Sequence, residues 1–319
     1  MGLFDFLRLK SAPAPEDRVP ALAPLLQAGN NAWQTWPQFY ASLRGHADLR
    51  VDAVETFVSR YWMKQVAPSR EPRLAFLVDA DPASWLVVRA QVALAEALEA
   101  RGSGTEIKDA ATFSARAAAS RTDAERVAMA EPGEAPPLVM LMRIARGTGD
   151  DTLGAQAYRQ AVANVPGCFE TELAHNSALS QRWGGSHEAQ LTHARSVAAR
   201  AADGTLLAGL PINALFFQMS HLNAFDNDPA GAKAFAAAVQ GELSHACLRS
   251  LDAPGHVPSV STFTLRSQAA AIAWQANNTD LLRRQLAALG DLYIASPWSQ
   301  MSTKPRAEFD ALRKANGLA

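Results

Sequence analysis

A chain of 319 residues, 48% hydrophobic and 19% charged, can bury a large core as one extended domain or two ordinary ones. Its 30 Lys and Arg stand against 31 Asp and Glu, a formal net charge of -1, which excludes a protein built to neutralise a phosphate backbone; no nucleic-acid partner is expected. Two cysteines, Cys168 and Cys247, exclude a disulfide framework or a four-thiolate metal site, and both read as reduced interior residues of a cytoplasmic protein.

In chain order, residues 1–10 place Leu3, Phe4, Phe6, Leu7 and Leu9 ahead of the basic residues, the wrong order for a secretory signal. They read as a short amphipathic turn that docks on the body or touches a partner or a bilayer surface. No stretch approaches the roughly 18 apolar residues of a transmembrane segment. Residues 11–20 hold three prolines and read as a linker. Two helical patterns follow over 31–66, the second with Val51, Val54, Phe57, Val58, Tyr61 and Trp62 at intervals of three and four. The stretch 68–82, with Pro68, Pro72 and Pro82, reads as a connection and is the one place compatible with a strand.

Residues 83–101 predict a helix on the stripe Trp85, Val88, Val92, Leu94, Ala95 and Leu98, stopped at Gly102, and 106–129 predict another. Pro132, Gly133, Pro136 and Pro137 then mark a boundary, which divides the chain into a tail and linker (1–20), an N-terminal helical region (21–130) and a C-terminal helical-repeat region (131–319). Beyond it, helices are expected at 137–147, 152–164, 169–182, 187–202, 209–223, 230–251, 261–276, 279–294 and 305–316. Short Gly, Pro and Asp turns separate them. Such a series makes an all-α fold of stacked antiparallel helix hairpins, a tetratricopeptide-like solenoid or superhelix with repeats of roughly 35 to 45 residues. Ala157, Tyr158, Ala161 and Pro166 match the end of one such repeat.

The run Arg182-Trp-Gly-Gly-Ser186 reads as a helix stop and restart. A glycine takes a backbone angle closed to other residues, Ser186 caps the next helix, Glu188 faces its positive end, and Trp183 fills the corner. With Glu188 and the Ala-rich helix after it, this segment resembles the bacterial domain of unknown function 4034 family, over about 137–205 and more loosely to the C-terminus. The resemblance implies a helical, bacterial, cytoplasmic protein and carries no reaction with it. The phenylalanine-bearing helix expected after the motif is replaced here by residues 191–194. Beside the structural role of fixing a hairpin angle, the motif offers a groove lined by Arg182, Trp183, His187 and Glu188 for a ligand or peptide.

No phosphate loop, nucleophile elbow or H-E-x-x-H pair is present. Glu172/His175 and Glu242/His245 are both Glu-x-x-His on predicted helices, the element from which iron or manganese bundle sites are made; Glu188 offers one of the two added carboxylates such a site takes, and a second in register is not evident. Cys168 starts a helix, where a thiol can be activated, but His175 lies two turns away, about 10 Å along the axis. The aromatics Trp33, Trp36, Phe39, Tyr40, Phe216 and Phe217 are spaced as core stripes, and Arg266, Arg283 and Arg284 as solvated surface. The composite expectation is a helical-repeat protein without a cofactor that binds a protein partner, one form being a regulatory or toxin-immunity protein. A metal-dependent helical enzyme and a scaffold without a ligand are the alternatives.

Overall fold

The computed structural model describes residues 13–62, 70–102 and 106–318. The amphipathic stretch 1–10 and its membrane contact, together with Pro68, lie outside them. Among the described residues there are seventeen α-helices and no strand. The first six are α1 (Ala23–Ala28), α2 (Ala32–Ser42), α3 (Ala47–Phe57), α4 (Arg70–Ala80), α5 (Pro82–Arg101) and α6 (Ala110–Ala130). The central five are α7 (Ala135–Thr148), α8 (Asp151–Asn164), α9 (Phe169–Ala178), α10 (His187–Arg200) and α11 (Leu210–Ala224). The last six are α12 (Pro229–Ala238), α13 (Gln240–Arg249), α14 (Val260–Gln275), α15 (Thr279–Leu289), α16 (Ala295–Ser299) and α17 (Pro305–Ala315). None of the described helices is long and apolar enough to cross a membrane.

Local chemistry accounts for the punctuation. Asp109, Asp150, Ser186, Asp228 and Asn278 each accept a hydrogen bond from the backbone N–H three residues on, closing the starts of α6, α8, α10, α12 and α15. Prolines sit in first turns, where no donor is needed, in α5, α7, α11, α12 and α17. The same rule converts the expected connection at 68–82 into helix α4: Pro72 occupies the first turn of Arg70–Ala80 and costs it no hydrogen bond. Pro136 and Pro137, expected to break the chain, open α7 in the same way. The helix expected over 230–251 is two, with Val239 as the corner between α12 and α13.

Consecutive helices pack as neighbours, most extensively α5 with α6, α7 with α8, α14 with α15 and α10 with α11. Two helices carry the interior: α7 touches α3, α5, α6, α8 and α9, and α11 touches α9, α10, α12, α13 and α14. One cluster of buried apolar side chains runs from Val19 to Phe309, so the regions on either side of Pro132 share a core. Its N-terminal part is aromatic: Trp33 stacks on Trp85 at 5.6 Å, Phe57 meets Trp36 at 4.7 Å, and the Trp36 indole donates to the Ser84 carbonyl at 2.9 Å. The Pro-rich segment is docked: Pro15–Arg18 and Pro20–Leu22 form 3-10 turns, Val19 is buried, Glu16 and Asp17 accept from Arg60, and Arg18 reaches Asp291.

Candidate functional site

The RWGGS corner is a closed turn. α9 ends at Ala178, Gln181–Trp183 forms one 3-10 turn, and Gly184 takes φ of 87°. The Gly185 backbone lies so close to the Leu179 carbonyl that any Cβ would overlap it. Ser186 donates its N–H to Leu179 at 2.9 Å and its side chain accepts from Ala189 at 3.0 Å, starting α10. This geometry holds Trp183 half-buried against the C-terminal ends of α5 and α7. Three guanidinium carbons lie over its ring: Arg101 at 4.6 Å, Arg146 at 5.2 Å and Arg182 at 5.7 Å from the centroid.

Beside the indole is a cavity of about 300 Å³ lined by Arg101, Arg143, Arg146, Arg182, Ser180 and Phe217, among others. Four arginines therefore line one small chamber, three of them with their guanidiniums over the Trp183 ring. Arg143 has acidic partners, Glu55 and, at 3.9 Å, Glu170. Arg146 has none among the described residues, and its Nε is buried without a hydrogen-bond partner. Burial, and then the charges of Arg143, Arg182 and Arg101, push its pKa down to about 10. The helix C-terminus at which it sits offsets part of that cost, since the end carbonyls carry partial negative charge.

Arg146 and Trp183 also form the wall of a second chamber, of about 260 Å³, lined by Met142, Ala155, Ala178, Leu179, Asp150 and His175, among others. His175 stacks on Tyr158 with ring centroids 3.6 Å apart, and burial together with the nearby His193 holds its pKa down at about 4, so its imidazole is neutral. Asp150 caps α8 and also pairs with Arg121 at 3.2 Å.

The expected site residues thus separate. Arg182 and Trp183 line the arginine chamber; His187 and Glu188 do not. Glu188 is exposed in the first turn of α10. His187 faces His221 edge-on at 4.9 Å, with both ring nitrogens buried and unpartnered. Glu172 accepts from Tyr158 at 2.8 Å and lies 3.2 Å from His193 Nε2. Burial alone would raise the Glu172 pKa, but the His193 ring and the Tyr158 hydroxyl outweigh it and leave it low. Glu242 accepts from Nε and Nη2 of Arg195, at 2.7 and 2.6 Å, and His245 is exposed. The two Glu-x-x-His pairs are therefore engaged with different neighbours. Among the described residues no group of three or more His, Cys, Asp or Glu is arranged to hold a metal ion.

Cys168 is buried and donates to Asp48 at 3.0 Å; burial and that carboxylate push its thiol up, the opposite of activation. Arg266 and Arg284 are bound to Asp252, at 2.9 and 3.0 Å, and Arg266 also donates to Gln285. Arg283 and Arg284 are exposed, as expected from sequence, whereas Arg266 is drawn into the interior by Asp252.

Sequence reasoning missed the partners of Trp183 and a second charged cluster behind them. Arg143 and Arg146 lie three apart on a helix otherwise almost wholly buried, a signal readable in 135–148. Behind Arg143, α3 contributes Asp48, Asp52 and Glu55 on one face. Asp48 accepts from the Glu170 N–H at 3.0 Å, Asp52 from the Val260 N–H at 2.9 Å, and Glu170 from the Ser261 hydroxyl at 2.5 Å. The acidic residues of α3 thus cap the N-termini of α9 and α14, and burial raises the pKa of both Asp52 and Glu170.

Two other cavities offer less. One of about 490 Å³ between α4, α5 and α6 is lined by ions already paired, Arg89 with Asp123 at 2.6 Å and Arg116 with Glu96 at 3.1 Å. The other, of about 610 Å³, lies where the loops before α3, α9 and α14 meet, and its buried carboxylate, Asp48, is engaged. No family model, no curated protein and no solved structure matches this chain.

Proposed function

We propose that this chain is a helical-repeat binding protein that captures an anionic group of a partner macromolecule in the arginine chamber at the RWGGS corner. The observation that carries this reading is Arg146, a largely buried cation with no carboxylate partner among the described residues and with the charges of Arg143, Arg182 and Arg101 acting against its own. An uncompensated buried charge is costly to keep, and an incoming phosphate or carboxylate relieves it with charge-assisted hydrogen bonds. Kinship with the domain of unknown function 4034 family belongs to the same reading, since the residues that carry the resemblance, Arg182 to Ser186, are those that place Trp183 under the guanidiniums.

The test compares melting temperatures in phosphate and chloride at equal ionic strength for the wild type and Arg146→Met. Phosphate is expected to stabilise the wild type more than the variant, because general salting effects act on both alike. Equal responses would sink the reading.

A further inference from the structure

The two chambers on either side of Arg146 and Trp183 differ in charge in a way that gives a ligand a direction. One side is lined by Arg101, Arg143, Arg146 and Arg182. On the other, apart from the shared Arg146, no cation lines the wall: Met142, Ala145, Ala155, Ala178 and Leu179 supply apolar surface, and Asp150 and Asp151 stand at its edge. His175, the remaining titratable group there, is fixed against Tyr158. A second anion would meet two carboxylates in this chamber, whereas an uncharged apolar body would meet methyl, thioether and aromatic surface.

We propose that the ligand straddles the Arg146–Trp183 wall, with a phosphoryl head in the arginine chamber and an uncharged alkyl or aryl body in the Met142–Leu179 chamber. The inference rests on the anion-binding reading above and adds the chemical class: a phosphate monoester carrying an apolar group. At about 300 and 260 Å³, each chamber is near the lower limit of small-molecule pockets, suited to one functional group apiece. Trp183 lines both chambers and supplies the surface between them. A guanidinium fork matches phosphate oxygens pairwise, which gives the head its orientation.

The geometry makes the apolar contribution separable from the ionic one. Ala155 is exposed on α8 and lines the apolar chamber but not the arginine chamber, so Ala155→Phe fills the first and leaves the second open. Affinities of the full-length protein for inorganic phosphate, methyl phosphate, hexyl phosphate and phenyl phosphate are measured by calorimetry, for the wild type and for Ala155→Phe. The wild type is expected to bind hexyl or phenyl phosphate about tenfold tighter than methyl phosphate, the gain from burying several apolar carbons. Ala155→Phe is expected to lose that gain and to keep its affinity for inorganic phosphate. A tyrosine-phosphorylated peptide binding tighter than phenyl phosphate would support the proposal with a protein as the source, whereas equal binding would support it with a small ester and overturn the macromolecular partner proposed above.

Inorganic phosphate binding with no gain along the ester series overturns this inference and leaves the anion reading standing. So does a gain that Ala155→Phe retains. Absence of any Arg146-dependent phosphate binding overturns both. Ala178→Leu, which fills the chamber from α9, provides an independent variant with the same expected loss.

Discussion

Replacing Glu170 by Gln removes one negative charge from the buried cluster that ties α3 to α9 and α14, while keeping an acceptor for the Ser261 hydroxyl. The Glu170 side chain is only 5% exposed, and burial, then the neighbouring Glu55, push its pKa up to about 7 against the opposing pull of Arg143. A carboxyl whose pKa is higher in the folded than in the unfolded chain favours the fold where it is protonated. Its contribution is complete below about pH 4.5 and is lost as pH rises through about 7. At about 1.4 kcal/mol per pH unit, a rise of this size corresponds to about 3 kcal/mol between those limits. Asp52 moves in the same direction, since Glu170 is the largest charge raising it after burial itself.

Glu170→Gln therefore loses the decline between pH 5 and 8 that this group causes. It is expected to exceed the wild type in stability at pH 8 by about 2 kcal/mol, because Arg143 keeps Glu55 as a partner. Urea unfolding at pH 5, 6.5 and 8 measures both curves. Parallel profiles for the two proteins, or a variant less stable than the wild type at pH 8, would refute the reasoning.

Two further outcomes follow from the same packing. Gly185→Ala drives a methyl into the Leu179 carbonyl and is expected to cost about 2 to 4 kcal/mol in urea unfolding, with a shift in Trp183 emission as the corner opens; loss of less than about 0.5 kcal/mol would mean the turn relaxes freely. Cys168 and Cys247 are both buried, with thiols pushed up by burial and nearby carboxylates, Cys247 to about 12. A thiol reagent is therefore expected to label neither in the folded protein and both on unfolding, and rapid native labelling would contradict the assigned burial.

The sequence by itself determined the helices, because their signals are local. Apolar residues three and four apart set the faces, capping Asp, Asn and Ser set the starts, and Gly102 and Gly149 set the stops with positive φ. Proline caused one kind of misreading: Pro72, Pro136 and Pro137 look like breaks in isolation and are harmless in a first turn, a distinction that depends on where the preceding helix ends. The RWGGS corner was legible as a turn, down to Ser186 as the cap. Its chemistry was not, because Arg101, Arg146 and Trp183 come from three segments with no local relation.

The Glu-x-x-His pairs show the converse. Their spacing is correct within each helix, and tertiary packing gives Glu172 to Tyr158 and His193 and gives Glu242 to Arg195. The acidic face of α3 would pass as solvated surface until folding sets it against the starts of α9 and α14. Charges decide function here by what they meet across the core. That is a property of long-range contacts, which local periodicity does not carry.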